Sequence, residues 1–134
     1  MAEPAHPSPV DPSELDFETI VYEKAPPRAT IRLNRPEVLN AFDFRMLREI
    51  ARACEDASWD DDVRVVVVTG EGRGFCSGAD LVSAGSPPGI AGLQLPSIAR
   101  RSMRLLEDVV TTMREMHQPV IGAINGASIG GGFC

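Results

Sequence analysis

RVVVVTGEGRGFCSGADL, residues 64–81, joins a continuous β-branched run to a glycine-rich loop. Four consecutive valines bounded by Gly70 are the pattern of a strand buried on both faces within a parallel sheet. The FCSGADL that follows (Phe75 to Leu81) lies just past the end of that strand, where open α/β sheets bind ligands. Small residues there let a ligand lie against the backbone and take a hydrogen bond from an N–H. On chemistry alone, an ordinary surface turn explains the stretch equally well.

Upstream, FETIVYEK (17–24) and ATIRLN (29–34) flank the turn APPR, which predicts an antiparallel pair at the sheet edge. Asp43 is placed to cap a helix running to about Ser58, with Phe44, Leu47, Ala51 and Cys54 on its buried face. The acidic Asp60 to Asp62 reads as a solvated turn ending that helix. Downstream, VSAGSPPGIAGLQLP (82–96) has neither helical nor strand period and is expected to be a mobile functional loop. Leu106, Val109, Val110, Met113 and Met116 form a helical stripe within Ser97 to about His117, and Pro119 opens the strand PVIGAIN. Alternating strands and helices predict an α/β sheet, mostly parallel, with helical crossovers. No internal repeat is visible.

GASIGGG (126–132) repeats the pattern of a strand followed by glycines. Leading into a helix, its free amides would attract negative charge such as a developing oxyanion, although a flexible linker explains it equally well. It matches neither common nucleotide-phosphate motif. His6 and His117 have no adjacent carboxylate or cysteine, so no metal site or Cys–His nucleophile is expected. Ser77 is outside a serine-hydrolase elbow. Cys54 reads as core.

The net charge of -6 and 5% aromatic content argue against nucleic acid as a partner. No apolar run is long enough to span a membrane, so no membrane partner is expected. Three widely spaced cysteines fit no disulfide framework and suggest a reducing, cytoplasmic setting. Residues 1–14 show no secretory signal and are expected to be a disordered proline-rich leader.

Taken together, TIRLNRPEVLNAF (30–42), RVVVVTGEGRGFCSGADL (64–81) and HQPVIGAINGASIGGG (117–132), in this order and spacing, resemble the enoyl-CoA hydratase/isomerase, or crotonase, family. The resemblance runs from about Phe17 to the last residue. It implies the N-terminal part of a crotonase-like (ClpP/crotonase) ββα-repeat spiral, with 15–134 as the domain portion, and a homotrimer or hexamer for the full-length fold.

The resemblance further implies that the backbone amides of Ala79 and Gly131 grip the thioester oxygen of an acyl-CoA. Substrate would lie against Val38, Asn40, Ala41, Cys76, Gly78, Asp80, Leu81 and Gly130, with Arg35 or Arg73 near a CoA phosphate. Residues 82–96 would shape the acyl pocket. CoA is part of the substrate, so no separate cofactor is implied. Family hydratases use two glutamates, the first two residues past the glycine run. Cys134 occupies that position, and a thiol titrating near about 8.5 is a poor substitute for a water-positioning carboxylate. The second would lie beyond Cys134. With only two residues past the glycines, a helix is not expected to nucleate and fix Gly131. The chain therefore reads as an N-terminal half. The implied activity is an enoyl-CoA hydratase/isomerase reaction of fatty-acid or related acyl-CoA metabolism. The alternatives are another CoA thioester reaction such as isomerisation or hydrolysis, an inactive fragment or non-catalytic acyl-CoA binder, and an unrelated α/β domain with structural glycines.

Overall fold

A computed structural model of the chain describes residues 8–80 and 91–134. Strands β1 (Ile20–Ala25) and β2 (Arg28–Leu33) form the expected edge hairpin around Pro26 and Pro27. Helix α1 (Phe44–Ser58) then carries the chain to β3 (Val65–Gly70), which pairs parallel to β2. A short strand, β4 (Gly74–Cys76), precedes α2 (Leu95–Glu115). Strand β5 (Val120–Ala123) pairs parallel to β3, and β6 (Ala127–Ser128) pairs parallel to β4. The result is a four-stranded sheet ordered β1-β2-β3-β5 and a separate two-stranded sheet of β4 and β6. The expected loop 82–96 falls outside the described residues up to position 90, and its last two residues open α2.

Asp43 caps α1, its carboxylate accepting the Met46 amide at 2.8 Å. The buried face of α1 differs from the expected one: Met46, Leu47, Ile50, Ala53, Cys54 and Ala57 are buried, while Phe44 and Ala51 are half-buried. The stripe is rotated because this face packs on Ile20, Tyr22, Ala29, Ile31, Leu33, Val66 and Val68 of the sheet. Burying each large apolar side chain stabilises the fold by about 1.5–3 kcal/mol. Strand β3 also departs from expectation, since Val66 and Val68 are buried but Val65 and Val67 only half so. The described parts of α1 and α2 contribute to the core on the Val66/Val68 side, which leaves the opposite face of the sheet partly open.

Two carboxylates on α1 are buried because each gathers donors from the chain before it. Glu49 accepts the amides of Glu18 and Thr19 at 2.9 and 2.8 Å. Asp56 accepts the Val10 amide at 2.9 Å and the Tyr22 hydroxyl at 2.7 Å, and pairs with Lys24 at 2.8 Å. The segment read as a disordered leader is thus fastened at Val10, and Pro12–Glu14 form a 3₁₀ turn capped by Asp11. Asp60 ends α1 in a turn as expected, while its carboxylate also pairs with Lys24 at 2.9 Å.

Candidate active site

Three segments converge beyond the ends of the parallel strands. The chain leaves β3 at Gly70 and turns through Gly72, whose φ of 81° suits glycine, into β4. Two buried or turn-bordering asparagines hold that turn. Asn40, fully buried with φ 56°, donates to the Glu71 and Gly74 carbonyls at 2.9 Å each and accepts the Arg35 amide at 2.8 Å. Asn125 donates to the Gly72 carbonyl at 2.9 Å and accepts the Gly70 amide at 3.1 Å. The role of Asn125 and the clamping role of Asn40 were not read from the sequence. The available signal is an asparagine in each of two connectors, Asn125 two residues past β5 and Asn40 two past the Pro36–Val38 turn, where its side chain can satisfy turn amides and carbonyls.

Past β4, the Ser77 amide donates to the Leu39 carbonyl at 3.0 Å, the Phe42 amide to the Gly78 carbonyl at 2.8 Å, and the Asp80 amide to the Phe42 carbonyl at 2.9 Å. This is a parallel bridge between Phe42 and Ala79. Backbone groups alternate in direction along an extended strand. Gly78 and Asp80 point toward Phe42, so the Ala79 N–H points away from it.

The third segment hangs on β4. The Ile129 amide donates to the Cys76 carbonyl at 3.0 Å, and Gly130–Gly132 form a 3₁₀ turn with Gly132 donating to Ile129 and Phe133 to Gly130. Gly131 comes one residue before the first of these two donors, the position at which a helical first turn leaves an N–H without a partner inside the turn. The expectation that nothing would hold Gly131 is corrected here: β4, the 3₁₀ turn and the Phe42 ring fix it without a long helix. A Cβ on Gly131 would lie 2.5 Å from Phe42 Cζ, and one on Gly132 only 2.3 Å from the Cys76 carbonyl oxygen. Gly78, at φ 98°, sits against the same turn, and a Cβ there would lie 3.0 Å from the Ile129 carbonyl oxygen and 3.8 Å from the Gly131 nitrogen. The loops carrying Ala79 and Gly131 are therefore in contact.

The remaining sequence candidates divide. Val38 is partly exposed, and its carbonyl accepts Ser77 Oγ at 3.2 Å. Ala41 is buried, and its carbonyl accepts Arg35 Nη1 at 2.6 Å, while Arg35 Nη2 meets the Asp80 carboxylate at 2.9 Å. Asn40, Asp80 and Arg35 thus bind the loops to one another, and Arg73 is the exposed arginine of the two named for a phosphate. Burial raises the Cys76 thiol, opposed by the Gly78 amide. Gly130 takes φ 56° with open space beside it. Cys134 is exposed, its thiol 3.6 Å from the Gly130 carbonyl oxygen. Leu81 lies outside the described residues. Beside the glycine turn a cavity of about 250 Å³ runs between sheet and α2, lined by Met46, Phe75, Leu106, Val109 and Met113, with Gly131 and Cys134 also on its wall. Among the described residues no group of His, Cys, Asp and Glu is placed to hold a metal.

Residues 28–134 match the family described as Enoyl-CoA hydratase/isomerase. The chain belongs to the enoyl-CoA hydratase/isomerase family. A probable enoyl-CoA hydratase of Mycobacterium bovis is 50% identical over 115 residues, covering 86% of this chain and 40% of that protein. The 1,2-epoxyphenylacetyl-CoA isomerase of Escherichia coli is 36% identical over 104 residues, 77% of this chain and 38% of that protein. The crystal structure of a probable enoyl-CoA hydratase/isomerase from Mycobacterium abscessus superposes with a TM-score of 0.78 at 50% identity, covering 87% of this chain and 43% of that one. This family member thus has the α/β architecture of the N-terminal part of the crotonase fold, and it spans about 40% of the length of the curated relatives it matches.

Proposed function

We propose that this chain forms the oxyanion-binding part of an acyl-CoA enzyme of the hydratase/isomerase type. The observation that carries the proposal is the Ala79 N–H, turned away from its Phe42 partner on a loop that touches the Gly131 turn. Removal of a proton from the α-carbon of a thioester, or addition of a nucleophile at the β-carbon, moves negative charge onto the thioester oxygen. Two N–H groups fixed before the reaction stabilise that charge without reorganising, and one such donor is worth about 3 kcal/mol in the transition state. The apolar cavity behind Gly131 would take the acyl chain, and CoA itself serves as part of the substrate. A cytoplasmic setting and a homotrimer or hexamer belong to the same proposal, the latter in keeping with the exposed Ile121, Ile124 and Phe133.

Cys134 favours one reaction over another. It stands on the cavity wall at the position of the first glutamate of family hydratases, and a thiol sulfur is a weak hydrogen-bond acceptor where a carboxylate would orient water. Double-bond isomerisation, needing one acid/base group supplied from elsewhere, fits this site better than hydration. A non-catalytic acyl-CoA binder is the second reading, favoured by the same cysteine.

The test is a titration of the chain with butyryl-CoA, a saturated thioester that keeps the carbonyl oxygen but has no double bond to react, followed by backbone amide NMR. Shifts centred on Ala79 and Gly131 are expected, and amides that stay unmoved at saturating ligand would sink the proposal. Turnover of a panel of enoyl-CoA esters then separates enzyme from binder.

A further inference from the structure

The guanidinium of Arg35 joins the two backbone segments that set the direction of the Ala79 amide. Its Nη1 donates to the Ala41 carbonyl at 2.6 Å, just before Phe42, and its Nη2 donates to the Asp80 carboxylate at 2.9 Å, just past Ala79. Between those anchors lies the bridge of Phe42 to Ala79, closed by the Phe42 amide on the Gly78 carbonyl and the Asp80 amide on the Phe42 carbonyl. Arg35 is itself fixed, since its amide donates to Asn40 Oδ1 at 2.8 Å and its side chain is 15% exposed. One planar fork therefore spans the bridge from end to end.

The same contact meets an electrostatic need. Asp80 is 6% exposed and adjoins Ala79 in the chain. A buried carboxylate raises the energy of any negative charge that gathers nearby, because like charges repel more strongly where water is excluded. Arg35 lies 2.9 Å from the Asp80 carboxylate and 3.9 Å from that of Asp43, and supplies the compensating charge. Lysine there would bring the charge without the fork, and glutamine would bring hydrogen-bond donors without the charge.

We infer that Arg35 is a positioning residue for the thioester oxygen: it holds the Ala79 N–H on its line and neutralises Asp80 beside it. It acts through the Ala79 loop and not by touching the reacting atoms. The inference rests on the oxyanion reading proposed above and adds to it the side chain that keeps one of the two donors in place.

The test is difference infrared spectroscopy of the 134-residue chain saturated with butyryl-CoA isotopically labelled at its carbonyl carbon. Hydrogen bonds to the carbonyl oxygen lower its stretching frequency, so the wild-type chain should lower the band of the bound thioester. Arg35→Gln should lose about half of that lowering, as one of two donors is displaced. Arg35→Lys should lose less than Arg35→Gln. In an Asp80→Asn background, with no charge to neutralise, Arg35→Gln should cost less of the lowering than it does beside Asp80. A purely structural role would move urea midpoints without that dependence on Asp80. In the free chain, Arg35→Gln should speed hydrogen exchange of the Phe42 and Asp80 amides about tenfold. A band lowered equally by wild type and Arg35→Gln would overturn the inference and leave the oxyanion reading standing, whereas a band unmoved by the wild-type chain would overturn both. Equal losses with and without Asp80 would overturn the neutralising role. Circular dichroism checks that each variant keeps its helices. If Arg35→Gln does not fold, Arg35→Lys carries the comparison, and an unchanged band with unchanged exchange at Phe42 and Asp80 would overturn the inference.

Discussion

Replacing Asn40 by alanine tests the loop architecture directly. Asn40 is fully buried and makes three hydrogen bonds, with the Glu71 and Gly74 carbonyls and with the Arg35 amide. The Gly74 carbonyl keeps Asn125 Nδ2 at 3.2 Å after the change, so two groups lose their partner. Leaving a buried polar group unpaired costs about 1–3 kcal/mol, and Glu71 and Arg35 lie near enough to water to fall at the low end. Alanine at a φ of 56° adds about 1–2 kcal/mol of backbone strain that asparagine largely avoids. The sum is about 3–5 kcal/mol. Asn40→Gly removes the same hydrogen bonds without that strain and should cost about 1 kcal/mol less than alanine. Urea unfolding followed through Trp59 fluorescence measures both, with the denaturant slope checked for constancy. A loss below about 1 kcal/mol for Asn40→Ala, or glycine proving worse than alanine, would refute the clamp.

Other expectations follow from the same structure. Burial raises the Asp56 carboxyl, but hydrogen bonds from Lys24, Val10 and Tyr22 outweigh it and leave the group below its ordinary value; amides of Glu18 and Thr19 do the same for Glu49 against its burial. Because the folded values lie below the unfolded ones, this stabilisation is complete above about pH 5 and is lost as the pH falls through the depressed values. Urea midpoints measured down the acid range should therefore drop less steeply for Asp56→Asn, and parallel curves would contradict this. Gly132→Ala should abolish acyl-CoA analogue binding because its Cβ would meet the Cys76 backbone at 2.3 Å, whereas Gly131→Ala meets mainly the movable ring of Phe42 and should weaken binding less. Calorimetric titration reads both, and the reverse order would count against the packing described. Of the three thiols only Cys134 is exposed; burial pushes Cys54 up to about 12 and raises Cys76. One cysteine should react quickly with iodoacetamide in the native state, and a second equally fast one would refute that burial.

Much of this fold could be read before any coordinates. The valine run of β3, the Asp43 cap and the Pro119 boundary depend on near neighbours, so local sequence was enough to place them. The orientation of α1 was not legible, since whether Ala51 or Ala53 faces inward depends on which strands the helix meets. Nor was the fastening of residues 10–14, because Val10 is held by a carboxylate 46 positions away. In the site, the direction of the Ala79 amide became visible only through its bridge to Phe42, a pairing between residues that no periodicity connects. The hold on Gly131 was not legible because helix nucleation is a local support, whereas the Ile129 amide on the Cys76 carbonyl joins residues more than 50 positions apart.

The ladder joining β4 to β6 has two rungs, Gly74 to Ala127 and Cys76 to Ser128, and it shares no strand with the larger sheet. Segments with so few bonds open at a far smaller free energy than the strands and helices around the main core. As temperature or urea rises, the chain should thus pass through a state that has kept its helical signal and its buried Cys54 while the loops carrying Ala79 and Gly131 have already come apart. On the proposed function, acyl-CoA binding would then be lost before melting, and a midpoint taken from helix content alone would overstate the range over which the paired loops persist.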